Sequence, residues 1–141
     1  MTVHGSDKDS FIKIEKRASE YPVYRVSASL RGHTVRNSHI VLEHPERFLA
    51  ALQEFERARS GRAELIGSED FKLTVEPDGV MGHAWMKFFV AKGIHEFSGQ
   101  TGRSRSGRIS IEGSFALSGG FVSQFVRDFE NLLSESTHSK D

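Results

Sequence analysis

Seven histidines make a metal centre the first chemistry to consider. His33, His39 and His44 stand six and five positions apart in different local contexts. None forms the His-x-x-x-His pair that sets two imidazoles on one helical face. Isolated structural or surface imidazoles are the expectation, with no metal site. His83, two positions before Trp85, is the one expected to be buried.

Nucleophilic and acid–base chemistry find no better footing. The chain has no Gly-x-Ser-x-Gly elbow and no cysteine, which removes a thiolate nucleophile and sulfur-based zinc sites. The carboxylate pair Glu69-Asp70 falls between two strand-like segments, and Glu76 and Asp78 flank a Pro77-Asp78-Gly79 turn. Solvated acidic tips are the ordinary reading of both. Glycines and arginines alternate through Gly99 to Arg108, but a phosphate-cradling loop needs Gly-Lys-Ser/Thr running into a helix. Here no lysine is present and a strand-like segment follows. The expectation is a solvated hairpin loop from Gly99 to Gly107, suited to contacting a partner. No catalytic residue and no cofactor follow from these patterns.

The elements that would position such residues read as mixed α and β. Phe11–Lys16, Val23–Arg31 and Thr34–Leu42 alternate or are β-rich, the signature of half-buried strands. Tyr24, Val26, Ala28 and Leu30 share one face of the second of these. Pro45 and Glu46 open a helix, since a first-turn Pro loses no hydrogen bond and an acid suits the positive end of the dipole. Phe48, Leu52, Phe55 and Arg59 form its stripe and Gly61 its stop. Strands return at Ala63–Ile66, Phe71–Val75, Gly82–Lys92 and Arg108–Leu117, the last with Ile109, Ile111 and Phe115 inward. The Gly82–Lys92 strand carries apolar residues on both faces, so cover on both sides, at least in part, is expected. A second amphipathic helix, about Gly120 to Glu135, presents Phe121, Phe125, Phe129 and Leu132 as a wide apolar face. Antiparallel turn signals favour α+β: six to eight strands packed against a mid-chain and a C-terminal helix. Residues 1–10 read as a polar tail, 11–135 as one domain and 136–141 as a frayed polar end.

Composition narrows the function classes. At 141 residues the chain has one domain's length and, with eleven Phe, enough apolar mass for a core without disulfide or metal. No segment resembles a signal peptide or a membrane span, so a cytoplasmic location without membrane association is expected. Nineteen basic residues balance nineteen acidic ones, unlike the basic excess of most nucleic-acid binders. Locally, Lys87, Lys92, Arg103, Arg105 and Arg108 face one acid, Glu96, and the chain turns acidic after Glu112. That asymmetry suits a protein partner.

The order of segments resembles the WapI-like immunity proteins of bacterial polymorphic and contact-dependent toxin systems. The residues that carry the resemblance are Phe48 and Leu52 before Gly61, the Gly61-x-Ala63-x-Leu65 step, Phe71-x-Leu73-x-Val75, Gly82-His83 and Phe121-x-x-x-Phe125. They span about Phe11 to Leu133. The chain departs from the family at Ser118-Gly119-Gly120, where a polar, often Asp/Gln-bearing step is usual. The resemblance implies a non-catalytic protein that neutralises a cognate toxin domain by tight association. Partner-contacting residues vary within such families, so none carries over. Charged loop tips supply the expected contacts instead: Glu69, Asp70, Arg103 and Arg105. The other reading is a small-ligand-binding or regulatory domain with a pocket near His83 and Trp85. Either leaves room for a homodimer.

Overall fold

A computed structural model describes residues 1–5, 9–79, 83–98, 103–117 and 119–135, with side chains throughout except at 95–98, 103–106 and 119. Its elements run β1 (Thr2–His4), β2 (Phe11–Arg17), β3 (Val23–Leu30), β4 (His33–Ile40), α1 (Pro45–Ala58), β5 (Ala63–Gly67), β6 (Phe71–Pro77), β7 (Ala84–Ser98), β8 (Arg103–Leu117) and α2 (Gly119–Ser134). The strands form two antiparallel sheets in sequential order, β1-β2-β3-β4 and β5-β6-β7-β8. The fold is therefore α+β, with eight strands and two helices.

Alternation decides which face of each sheet is buried. Ile12, Ile14, Tyr24, Val26 and Ala28 line the inner face of the first sheet; Leu73, Val75, Met86, Phe88, Val90, Phe115 and Leu117 line that of the second. The faces meet closely where β3 crosses β8. A Cβ added to Gly113 would stand 2.6 Å from Leu30 Cδ1 and 3.0 Å from Phe88 Cζ, so the absent side chain sets the approach. Glu43 and Ile66 make an antiparallel bridge between the segment after β4 and β5.

The helices complete the core through aromatic contacts. Phe48 of α1 meets Phe129 edge-on at a centroid distance of 5.0 Å and Phe125 at 6.1 Å. α1 ends with Arg59 in the left-handed region (φ 54°), its N–H donating to Phe55 O at 2.8 Å. The stop thus comes two residues before Gly61. Lys16 Nζ caps the other helix, donating to Glu135 O at 2.7 Å and Leu133 O at 3.3 Å, a cation on the negative end of the dipole.

Several expectations need correcting. The N-terminus is not all tail: Thr2, Val3 and His4 pair with Lys13, Ile12 and Phe11, and Val3 is buried. The Gly99–Gly107 loop is shorter than read, because Arg103 to Gly107 pair with Ser98 to Ile94 as strand. Phe121 is 50% exposed, sitting in the first turn of α2 before the helix is covered. Ile109 is 40% exposed although it shares the parity of the buried Phe115. The second face of β7 is covered in part, as expected: Ala91 is fully buried and Phe89 half-buried, with the Arg108 guanidinium 5.7 Å from its ring centre, whereas Trp85 is 38% exposed. The polar ends 136–141 lie outside the described residues.

Candidate functional site

The outer face of the first sheet gathers cations that the linear sequence scatters. Parity places Lys13, Glu15 and Arg17 of β2, Arg25, Ser27 and Ser29 of β3, and Arg36 of β4 on this side. The register confirms it, with Lys13 opposite Ser27, Glu15 opposite Arg25 and Ser27 opposite Arg36. A β-bulge then adds to the cluster. Val26 pairs with Asn37 but Tyr24 pairs with Ile40, so three steps on β4 match two on β3. The extra residue brings both Ser38 and His39 toward the arginines while Asn37 and Ile40 stay inward.

Each arginine is held by a short polar side chain or carbonyl. Arg25 Nε donates to Ser38 Oγ at 3.3 Å, and Arg36 Nε donates to Ser27 Oγ at 3.2 Å. Arg17 Nη1 donates to Ser38 O at 2.7 Å and lies 3.4 Å from His39 Nδ1. Ser27 is itself buried at 3% exposure, which makes it a fixed anchor. Arg17 and Arg25 are half-buried and Arg36 is exposed. The acid among them, Glu15, sits 3.7 Å from Lys13. Among the described residues no carboxylate makes an ion pair with Arg17, Arg25 or Arg36.

The outer face of the second sheet is the opposite case. Glu64 pairs with Arg62 at 3.1 Å and Lys72 at 3.4 Å, and Glu76 pairs with Lys87 at 2.6 Å. The hydrogen bond from Lys87 holds the Glu76 carboxyl below the usual range; burial opposes it, and the charges of Lys87 and Arg62 add to the lowering. Arg62, Lys72 and Lys87 border a groove of about 490 Å³ over Thr74, Phe89 and Ser114. Here the cations already have their counter-ions. A guanidinium fork without one is the stronger recognition element, because its planar donors match a carboxylate or phosphate bidentately. Holding it through Nε, as at Arg25 and Arg36, lowers the ordering cost of that match.

Of the four contacts expected from loop charge, Glu69 and Asp70 lie in the turn between β5 and β6. Asp70 ties the two sheets to each other. Its Oδ1 accepts from Arg108 Nη2 at 2.7 Å, its Oδ2 from Asn37 Nδ2 at 3.4 Å, and its carbonyl from Ala91 N–H at 2.8 Å. Asn37 Nδ2 also donates to Ala91 O at 2.8 Å. Glu69 contributes its carbonyl to Arg108 Nη2 at 2.5 Å. Arg103 and Arg105 pair through their backbones with Ser98 and Glu96, and their side chains lie outside the described ones.

His83 is exposed just before β7 rather than buried. Trp85 does line a groove of about 640 Å³, but with Leu30, Arg31, His33 and Phe115, not with His83. Tyr24, packed near the end of α2, has its phenol pushed up chiefly by burial and secondarily by Glu135. Among the described residues no cluster of three or more His, Asp or Glu side chains could hold a metal, and no helix is long and apolar enough to cross a membrane.

The arginine face corresponds to no motif or period in the linear sequence. A signal was present: between Phe11 and Ser38 stand Lys13, Lys16, Arg17, Arg25, Arg31 and Arg36 against Glu15 and Glu20. Their shared side of a sheet depends on register. No family model, no curated protein and no solved structure matches this chain.

Proposed function

We propose that this chain is a non-catalytic binding protein of the immunity type, which neutralises a cognate bacterial toxin by seating an acidic surface of it on the outer face of the first sheet. The observation behind this reading is the trio Arg17, Arg25 and Arg36, each fixed by a hydrogen bond and none ion-paired among the described residues. Fixed, unpaired guanidinium groups on an open sheet face suit rapid, charge-steered association with carboxylates of a protein partner. The resemblance of the segment order to WapI-like immunity proteins supplies the biological class, and a cytoplasmic site of action goes with it.

The test is co-expression with toxin domains encoded beside this chain, with growth as the readout. Protection is expected, as is its loss in an Arg17→Gln, Arg25→Gln, Arg36→Gln variant that keeps the wild-type melting temperature. Protection by that variant would overturn the arginine face as the interface. No protection from any neighbouring toxin would overturn the immunity reading itself.

A further inference from the structure

The groove beside Trp85 joins an exposed indole, an apolar floor and two basic side chains. It lies where the tip of the β3–β4 hairpin meets β8, the edge strand of the second sheet, and its volume is about 640 Å³, within the range of small-molecule sites. Phe115, 5% exposed, and Leu30 form the floor. Trp85 points to the outer side of β7, but its register partner on β8 is Ala116, a side chain small enough to let the indole border the groove. Arg31 and His33 line the hairpin side. Among the described residues no carboxylate lines the groove, and none makes an ion pair with Arg31.

Arg31 stands there against the preference of its own turn. Leu30 and His33 pair across a two-residue loop in which Arg31 (φ 49°) and Gly32 (φ 89°) are both left-handed. Such turns favour Asn, Asp or Gly, and a non-glycine residue at positive φ is uncommon. The buried Ser10 holds the conformation, its Oγ accepting from the Arg31 N–H at 3.3 Å. Residues kept in this region against their preference cluster at ligand-binding sites.

We propose that the groove binds a small aromatic carboxylate, with its ring against Trp85 over the Leu30–Phe115 floor and its carboxylate on Arg31 and His33. The planar donors of a guanidinium match a carboxylate bidentately, and an indole beside an apolar floor offers a flat ring a large contact area. A neutral ring would leave Arg31 without its counter-ion, and an aliphatic acid would leave the indole uncovered. The arginine face lies on the outer side of the first sheet, whereas Leu30 and His33 belong to its inner side, so this proposal stands apart from the immunity reading.

Trp85 is the chain's one tryptophan, so the single indole N–H signal in a nitrogen–proton NMR spectrum reports on the groove directly. 2-Naphthoate should shift that signal saturably, with a Kd at or below about 1 mM. Neutral 2-naphthylmethanol and ring-free hexanoate should each bind at least about tenfold more weakly, because each lacks one half of the match. Arg31→Asn gives the turn a residue it prefers, so its melting temperature should equal or exceed that of wild type. The same variant should bind 2-naphthoate at least about fivefold more weakly, with 2-naphthylmethanol unaffected. No saturable shift with 2-naphthoate, equal affinity for all three compounds, or an R31N variant that binds 2-naphthoate as wild type does would each overturn the proposal.

Discussion

Arg108 of β8 and Asp70 of the turn between β5 and β6 are joined by a hydrogen-bonded ion pair of 2.7 Å, and the same guanidinium nitrogen also holds the Glu69 carbonyl. The register partner of Arg108 is Gly93, whose missing side chain leaves the path across β7 open. Asp70 in turn receives Asn37 from the first sheet. The turn that reads as a free acidic tip is thus a clasp between sheets.

Asp70→Asn should destabilise the fold by about 1 kcal/mol, a value held down by the partial exposure of the pair. The urea midpoint should fall with an unchanged slope. A midpoint equal to wild type would show that the clasp contributes nothing.

The two ends of α2 should respond very differently to truncation. Phe125 is 2% exposed and packs on Phe48, whereas Phe121 is 50% exposed. Phe125→Ala should cost ~3–5 kcal/mol and Phe121→Ala less than ~1 kcal/mol. Equal losses in chemical denaturation would contradict the packing described for this helix.

Gly67 is required by a neighbour rather than by its backbone angles. A Cβ there would stand 2.4 Å from Ile40 Cγ2, a stiff β-branched group that is fully buried. Gly67→Ala should cost ~1–3 kcal/mol. Combined with Ile40→Ala it should cost less than the sum of the two single changes. Strict additivity in the four-variant cycle would place the clash elsewhere.

Glu76 links stability to pH with a definite sign. Its folded-state value is lowered, mainly by the hydrogen bond from Lys87, so the native state binds fewer protons than the unfolded chain in that range. The stabilisation is complete above the ordinary glutamate value of 4.5 and is lost as pH falls through the lowered folded value. Glu76→Gln should therefore lower the melting temperature at neutral pH and converge on wild type in acid. A gap that widens on acidification would reverse the assignment.

If the arginine face steers a partner, the association rate should fall as salt rises, and more steeply for wild type than for the Arg17, Arg25, Arg36 triple glutamine variant. Stopped-flow mixing with the partner at several ionic strengths measures this. Parallel salt slopes would remove the face from the encounter.

Period-two alternation in Val23–Leu30, Phe71–Val75 and Ala84–Val90, together with the helical stripes Phe48-Leu52-Phe55 and Phe125-Phe129-Leu132, was enough to determine the α+β class, both helices and most of the core. Those features are local, because side-chain period follows from backbone geometry within a single element. The sequence could not show where elements end against one another. Phe121 and Ile109 carry the right period and stay exposed. Nor could it show that Arg17, Arg25 and Arg36 share a face and are held by Ser38 and Ser27. That arrangement needs three strands in one register and a bulge in β4, and register is set by long-range pairing between segments far apart in the chain.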